Sequence, residues 1–315
     1  MTLSFIFPGQ GSQKIGMGKE LFDSSTEAKE VFEEVDNSLD KNLSKIIFEG
    51  PEEDLLLTVN AQPALMAVSV AAVRVVENFS GKKLHELGDY VAGHSLGEYS
   101  ALVSAKSMTL SSAAKVLRLR GSAMQNAVAV NVGAMAAIIG SDLSTIQNLI
   151  IKSVEENEVL EIANDNAPGQ IVISGHRKAI VRAIDNSKEM GIKRALRLNV
   201  SAPFHCSLMQ SALEDMIDPI KNLDILTPEL VLCNNVDALF ITDPEKIKDS
   251  LINQITSRVK WRESIEKIKN QGKVNQFIEL GSGSVLSGLI KRIDKNLDSV
   301  ALESIGDIEK FVKLV

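Results

Sequence analysis

A run of five residues, Gly93-His94-Ser95-Leu96-Gly97, constrains the fold of this chain more than any other feature. It matches the pattern G-x-S-x-G, follows an apolar strand candidate at Tyr90–Ala92, and precedes a helix-compatible stretch at Glu98–Ala105. This strand–turn–helix is so tight that the positions flanking the serine tolerate little beyond glycine. A chance match in a glycine-rich turn is the alternative. The context on both sides favours a serine nucleophile, with the backbone N–H of Leu96 placed to stabilise an oxyanion.

The order of apolar runs along the 315 residues predicts an α/β fold. Runs of strand length, such as Leu3–Phe7, alternate with stretches of helical period, such as Ser25–Leu39 and Ser111–Val128. We predict a hydrolase-like large subdomain with a mainly parallel sheet, built from residues 1–128 and 198–315.

A smaller unit interrupts this alternation. Four strand candidates enclose two helix candidates, in the order Gly133–Ile139, Leu143–Glu156, Leu160–Ala163, Gln170–Ser174, Lys178–Met190 and Lys193–Leu198. The resulting order β-α-β-β-α-β is that of the ferredoxin-like unit. We therefore predict a ferredoxin-like small subdomain at residues 129–197, inserted into the large one.

Composition argues against several function classes. The net charge is −7 with both signs interspersed, which gives no support to nucleic-acid or membrane binding. The longest apolar stretch, Ala61–Val76, contains polar residues and indicates a core helix. The N-terminus has no basic segment before its apolar run, so it predicts a strand and not a signal peptide. Two cysteines without C-x-x-C spacing, Cys206 and Cys233, argue against a disulfide framework or a zinc site and favour the cytoplasm.

A nucleophilic serine needs a base, and the chain has four histidines. His94 adjoins the serine and should point away from its hydroxyl, whereas His85 and His176 are expected at the surface or at a helix cap. His205 follows a predicted strand and precedes a predicted helix, the kind of loop that displays a catalytic base. No aspartate marks itself as a third member.

Arg120 is a third unusual feature. It falls on the apolar face of its predicted helix, at spacings of three and four from Leu117 and Met124. A guanidinium facing inward is costly unless it meets an anion. That anion is either an internal carboxylate, in a structural ion pair, or the carboxylate of a substrate held in a bidentate clamp.

Together these segments resemble the malonyl-CoA:acyl-carrier-protein transacylase family over essentially the whole chain. Six ordered matches carry the resemblance: Phe7-Pro8-Gly9-Gln10-Gly11-Ser12-Gln13, Gly93-His94-Ser95-Leu96-Gly97-Glu98, Arg118-Leu119-Arg120-Gly121, Asn164-Asp165-Asn166-Ala167-Pro168-Gly169-Gln170, Pro203-Phe204-His205 and Gln254. Two departures are small. Phe204 stands where relatives vary, and Ser282 stands where many relatives have proline.

The resemblance implies a role for each matched residue. Ser95 would be the nucleophile and His205 its base, with the main-chain carbonyl of Gln254 orienting His205. The other implied roles are an oxyanion hole from the N–H groups of Gln10 and Leu96, a malonyl carboxylate site at Arg120, and a lining near the pantetheine arm from Asn164 and Asn166.

The implied activity moves malonyl from malonyl-CoA to the pantetheine thiol of acyl carrier protein in fatty-acid biosynthesis, through a seryl ester. It needs no metal or cofactor, because the coenzyme A thioester is the substrate, and a cytoplasmic monomer is expected. The rivals are a serine thioesterase or esterase of the same fold, a polyketide-pathway acyltransferase, and a silent acyl-binding protein. Since carrier proteins are acidic, docking needs local basic charge, for which Lys193-Arg194 and Lys291-Arg292 are candidates; solvated surface charge is the alternative.

Overall fold

The computed structural model describes residues 3–315, in which strands form two β-sheets with helices packed around them. The strands are β1 Leu3–Phe7, β2 Tyr90–Gly93, β3 Gly133–Ile139, β4 Leu160–Ala167, β5 Gln170–His176, β6 Arg194–Arg197, β7 Val231–Cys233, β8 Phe240–Ile241, β9 Gln276–Leu280 and β10 Asp298–Leu302. The helices are α1 Lys19–Ser24, α2 Thr26–Leu39, α3 Leu43–Glu49, α4 Glu52–Leu56, α5 Thr58–Ser80, α6 Leu84–Leu87, α7 Gly97–Ser104, α8 Leu110–Asn126, α9 Leu143–Ser153, α10 Arg177–Glu189, α11 Gln210–Lys221, α12 Pro244–Asn253, α13 Trp261–Gly272, α14 Val285–Ile293 and α15 Ile305–Val312.

The large sheet has the strand order β10-β9-β1-β2-β7-β8, and all its pairings are parallel except β7 with β8. Its central strand β1 is buried on both faces: Phe5 and Phe7 belong to one core cluster and Ile6 to another. This double burial explains why the strand is a continuous apolar run, as expected in a parallel sheet covered by helices. The predicted α/β fold with a mainly parallel sheet is confirmed.

The small sheet has the order β4-β5-β3-β6 and is antiparallel throughout. Its strands alternate with α9 and α10 in the predicted order β-α-β-β-α-β, and the two helices pack with the sheet in a core of their own. All these elements lie between residues 133 and 197. The exact subdomain boundaries, 129–197, stay a prediction.

Helix α5 runs through the main core. By length and composition it is apolar enough to cross a membrane, but 89% of its apolar window is buried inside the protein. Helix α5 is therefore a core helix, as its polar interruptions indicated.

Strand β4 differs from its prediction, because it continues past Ala163 to Ala167. Three of the four extra residues are polar and resemble a turn, yet the segment pairs with β5 and also makes contacts distant in sequence. The N–H of Asp165 donates to the carbonyl of Val259 at 3.0 Å, and its carboxylate accepts from Arg262 at 2.8 Å. The extension carries Asn164 and Asn166 to the cleft between the sheets. The short elements α1, α3, α6 and β8 were not predicted either.

Candidate active site

Ser95 occupies the turn between β2 and α7, with a left-handed backbone conformation at φ 53°. The flanking glycines make this turn possible. A Cβ atom on Gly93 would lie 1.9 Å from the carbonyl carbon of Gly97, and a Cβ atom on Gly97 would lie 2.3 Å from the carbonyl oxygen of Phe7. No side chain fits at such distances. The prediction that the elbow requires glycine at both positions is therefore confirmed.

His205 lies beside the serine and is the only histidine in residues 3–315 that contacts its hydroxyl. Its Nε2 is 2.8 Å from Ser95 Oγ, and its Nδ1 is 2.9 Å from the main-chain carbonyl oxygen of Gln254. A carbonyl oxygen only accepts, so Nδ1 carries the proton and Nε2 is free to accept from the serine. Burial, followed by the positive charge of Arg120, lowers the pKa of His205 to about 3. The imidazole is therefore neutral and ready to take a proton.

Arg120 is buried, with 1% of its surface exposed, at the bottom of the same site. Its guanidinium donates from Nη1 to Gln62 Oε1 at 2.8 Å, and from Nη2 to Gln254 Oε1 at 2.9 Å and Ser95 Oγ at 3.2 Å. Its Nε is buried without a partner among the described residues. Burial lowers the pKa of Arg120. Across residues 3–315 no carboxylate forms an ion pair with this guanidinium, so the structural ion pair considered from the sequence is not found.

Two polar residues without a predicted role complete the buried network, Glu98 on α7 and Asn235 after β7. Glu98 Oε2 accepts from Gln254 Nε2 at 2.8 Å and from the N–H of Asn235 at 3.1 Å. Burial raises the pKa of Glu98 to about 7, against the effect of these hydrogen bonds and of Arg120. Glu98 stands one turn after Ser95 in the first turn of a buried helix, and this spacing and its place in the matched motif were the sequence signals for it.

Gln10 and Leu96 both line the cavity in front of Ser95. Within residues 3–315 neither N–H donates to a protein acceptor. The side chain of Gln10 turns aside, with Nε2 3.3 Å from Thr58 Oγ1. Two N–H groups without a protein partner, on residues that line the same cavity as Ser95, have the chemistry of an oxyanion hole.

A cavity of about 540 Å³ opens onto these groups. The large subdomain supplies Ser95, His205 and Arg120 to its wall, and β4 of the small sheet supplies Asn164 and Asn166. Asn166 Oδ1 is 2.8 Å from Nε2 of His94, so His94 turns away from the serine hydroxyl as predicted. The remaining lining is largely apolar and includes Met124, Met135, Val172, Leu198, Val200 and Phe204.

The four basic docking candidates differ in their surroundings. Lys291 Nζ lies 3.3 Å from Asp298 Oδ1 and also donates to a main-chain carbonyl, whereas Arg292 donates to Gln170 Oε1 at the cavity wall at 2.6 Å. Lys193 packs against Gly140, and Arg194 is exposed on the edge strand β6. In the described chain neither Lys193 nor Arg194 has an ion-pair partner.

The other titratable candidates lie outside the site. His85 Nδ1 lies 2.7 Å from Glu229 Oε2 at the surface. His176 stands at the N-cap position of α10 without a side-chain hydrogen bond to the helix, and its Nδ1 accepts from the N–H of Val159. Cys206 and Cys233 are free and buried, and burial raises the pKa of their thiols to about 11 and about 12.

Comparison with known proteins extends this description. Residues 4–312 match the model of the acyl transferase domain family. The chain is 45% identical over 307 residues to the malonyl CoA-acyl carrier protein transacylase of Bacillus subtilis, covering 98% of this chain and 95% of that protein. The enzyme of the same name from Haemophilus influenzae is 42% identical over 309 residues, covering 98% and 96%.

Solved structures give the same result. The acyl-carrier-protein S-malonyltransferase of Bartonella henselae is 48% identical, with a TM-score of 0.96 over 100% of this chain and 99% of the other. A malonyl-transacylase solved in complex with a type II PKS acyl-carrier protein is 37% identical, with a TM-score of 0.95 over the full length of both chains.

Proposed function

The chain belongs to the acyl transferase domain family, and from this premise we propose the route by which it moves a malonyl group from coenzyme A to acyl carrier protein. The observation that carries the proposal is the chain of contacts from Ser95 through His205 to the carbonyl of Gln254. It joins a nucleophile, a neutral base and a group that orients the base, which is the arrangement that covalent acyl transfer requires.

In the first half-reaction Ser95 Oγ attacks the thioester carbon of malonyl-CoA while His205 Nε2 takes the hydroxyl proton. The N–H groups of Gln10 and Leu96 stabilise the oxyanion. The carbon–sulfur bond then breaks, and His205 returns its proton to the departing coenzyme A thiolate. The product is a malonyl ester on Ser95. No step requires a metal or a cofactor.

Arg120 selects the acyl group in this proposal. The two partners that its Nη2 contacts, Ser95 Oγ and Gln254 Oε1, are neutral, and its Nε is unpaired. A malonyl carboxylate seated beside the serine would be the first anion to bond this buried cation. With an acetyl group the cation stays without an anion, which costs transition-state stabilisation.

In the second half-reaction the pantetheine thiol of the carrier attacks the carbonyl carbon of the seryl ester, while His205 Nε2 takes the thiol proton. The carbon–oxygen bond to Ser95 then breaks, His205 returns the proton to Ser95 Oγ, and the malonyl group remains as a thioester on the carrier. Asn164 and Asn166 line the cavity between the sheets, where the pantetheine arm would pass. The pathway is fatty-acid biosynthesis. A cytoplasmic monomer with malonyl-CoA as donor belongs to the same proposal, and the two free thiols suit a reducing compartment.

The acidic carrier would dock where basic side chains surround the cavity mouth. Arg292 contacts Gln170, and Lys193 packs on Gly140, so both lie beside the turn between β4 and β5. Arg194 is exposed on the adjacent edge strand. Lys291 is the weakest of the four candidates, because Asp298 already lies beside its charge.

Mass spectrometry of the intact protein after brief exposure to malonyl-CoA tests the proposal. We expect one malonyl adduct on Ser95, none in Ser95→Ala, and severely slowed acylation in His205→Ala with the fold intact. A thioesterase would instead hydrolyse malonyl-CoA without carrier protein, and a silent binding protein would stay unlabelled. An adduct on Cys206 or Cys233 would contradict the mechanism.

A further inference from the structure

The side-chain amide of Gln254 lies between the buried cation and the buried carboxylic acid of the site. Its Oε1 accepts from Arg120 Nη2 at 2.9 Å, and its Nε2 donates to Glu98 Oε2 at 2.8 Å and to the carbonyl oxygen of Ser95 at 3.1 Å. A guanidinium can only donate, and a main-chain carbonyl can only accept. These partners therefore fix the orientation of the amide, with its oxygen toward the cation.

Glu98 also contacts the nucleophile elbow by a second path. The N–H of Asn235 donates to Glu98 Oε2 at 3.1 Å. The side chain of Asn235 accepts from the N–H of Ser95 at 2.7 Å and donates to the carbonyl of Gly93 at 2.7 Å. One carboxyl oxygen thus anchors both residues that hold the strained turn.

The position of Glu98 needs a reason, because the side chain has no exposed surface. A fully buried carboxyl group is costly unless its hydrogen bonds repay the loss of water. None of the steps of malonyl transfer uses Glu98 as an acid or base. Its hydrogen bonds instead lead to Gln254, whose carbonyl orients His205 and whose amide contacts Arg120.

We propose that Glu98 is a positioning residue for malonyl transfer: by anchoring the amide of Gln254, it keeps the Arg120 guanidinium beside Ser95. This inference rests on the proposed function, in which Arg120 binds the malonyl carboxylate. Without an acceptor at Glu98, the NH₂ group of Gln254 keeps only the carbonyl of Ser95 as a partner. The amide then has one anchor fewer, so its oxygen holds the Arg120 guanidinium beside Ser95 less firmly.

The two oxygens of Glu98 suit this role in either protonation state. Oε2 accepts both N–H groups, whereas the buried Oε1 has no partner among the described residues. Because burial raises its pKa to about 7, Glu98 exists in both forms near neutral pH, and a proton on Oε1 leaves the accepting oxygen unchanged. Glu98→Gln reproduces the neutral form, with an oxygen at Oε2 and an NH₂ group at Oε1.

The experiment compares single-turnover acylation by radiolabelled malonyl-CoA and acetyl-CoA and reports the ratio of the two rate constants. The variants are Glu98→Gln, Glu98→Leu and Gln254→Met, the last of which keeps the main-chain carbonyl that orients His205. A matched control is Glu77→Leu, which removes another buried carboxylate whose partners are Arg74, Lys83, Leu84 and Lys106, all outside the cavity wall.

We expect Glu98→Leu and Gln254→Met each to lower the malonyl-to-acetyl ratio by about 10-fold, which corresponds to ~1.4 kcal/mol, close to one hydrogen bond to a charged group. Glu98→Gln should restore the ratio to within about threefold of the unmodified enzyme, since both accepted hydrogen bonds remain. Glu77→Leu should leave the ratio unchanged. In an Arg120→Ala background, Glu98→Leu should no longer affect the ratio, because coupled residues do not act additively.

A parallel fall in malonyl and acetyl acylation in Glu98→Leu would show a merely structural role. The same conclusion would follow if Glu98→Leu still lowered the malonyl-to-acetyl ratio in the Arg120→Ala background. If Glu98→Leu does not fold, Gln254→Met decides, and an unchanged ratio in that variant overturns the proposal. Failure of the proposed function itself is recognised separately, because the unmodified enzyme would then acquire no malonyl label.

Discussion

The two sheets contribute to the site in opposite ways. On the large-sheet side Ser95, His205 and Arg120 each have at least two protein partners, and the serine and histidine both adopt left-handed backbone conformations, with φ of 53° and 59°. On the small-sheet side Asn164 has no side-chain partner in the described chain, and the edge strand β6 presents Arg194 to solvent.

This difference separates chemistry from recognition. A reacting atom must be held within a fraction of an ångström, so its supports are buried and numerous. A surface that receives a large, mobile carrier arm needs free polar groups and charge instead. Substitutions on the large-sheet side should therefore act on rate, and those on the small-sheet side should act on carrier affinity.

The largest effect is expected at the elbow, from Gly97→Ala. The new methyl group would lie 2.3 Å from the carbonyl oxygen of Phe7, so either the turn or strand β1 must shift. We expect acylation to fall by about 100-fold or more, because a misplacement near 1 Å can cost about 100-fold in rate. Gly288→Ala is the control: it has open space around it within α14, so activity should persist and thermal stability should rise slightly. Full activity in Gly97→Ala would mean that the turn does not require glycine at position 97.

The next effect is expected at Arg120. Replacing it by alanine should reduce malonyl transfer by roughly 30- to 5,000-fold, since a desolvated charge-assisted pair contributes about 2–5 kcal/mol. Acetyl transfer should fall much less, or rise. Steady-state rates with both thioesters measure this, and a parallel decline would make Arg120 a structural residue.

A smaller effect is expected on the small-sheet side, from charge reversal at Lys193 and Arg194. The Michaelis constant for carrier protein should rise several-fold, on the order of 1 kcal/mol, and mainly at low salt because exposed charges are screened. Self-acylation by malonyl-CoA should not change, since that step does not involve the carrier. Neutralisation of Lys291 by Lys291→Ala should do less than neutralisation of Arg194 by Arg194→Ala, because Asp298 already lies beside the charge of Lys291. An unchanged salt dependence would place the docking surface elsewhere.

The smallest effect on the acylation rate is expected from lowering the pH. For an exposed histidine with a pKa of about 6.5, the neutral fraction would fall roughly 30-fold between pH 7.5 and pH 5. His205, whose pKa lies at about 3, stays neutral over that range, so acylation should change by less than about threefold. Between pH 6.5 and pH 5 the imidazole of His205 is protonated in the unfolded chain but not in the folded one. His205 therefore lowers the free energy of unfolding as the pH falls below 6.5. Circular dichroism at each pH checks that the fold persists, and a steep loss of rate near pH 6.5 would contradict the assignment.

The sequence predicted the parts of the site that depend on local pattern. The elbow is specified by two glycines within five residues, and the helical periodicity of α8 was enough to turn Arg120 inward. The rest depended on contacts distant in sequence. Glu98 matched a motif without revealing a role, because its partners Asn235 and Gln254 lie more than 100 residues away.

The same limit explains the error in β4. Its polar end, Asn164 to Asn166, resembles a turn when only neighbouring residues are considered. It is a strand because it pairs with β5, and Val259 and Arg262 further bind its backbone and its aspartate. Local polarity predicts solvent contact, whereas a partner distant in the chain replaces that solvent with protein.

The central position of β1 has a consequence for biosynthesis. One edge of β1 pairs with β2, as in the pair Ser4–Tyr90, and the other edge pairs with β9, as in the pair Leu3–Gln276. On the ribosome one edge of this apolar strand must therefore wait, unpaired, until most of the polypeptide has emerged, while the four strands of the small sheet emerge together and much earlier. An open edge of this kind invites association with other nascent chains. We expect the newly made protein to depend on shielding by chaperones until β9 has emerged and paired with β1.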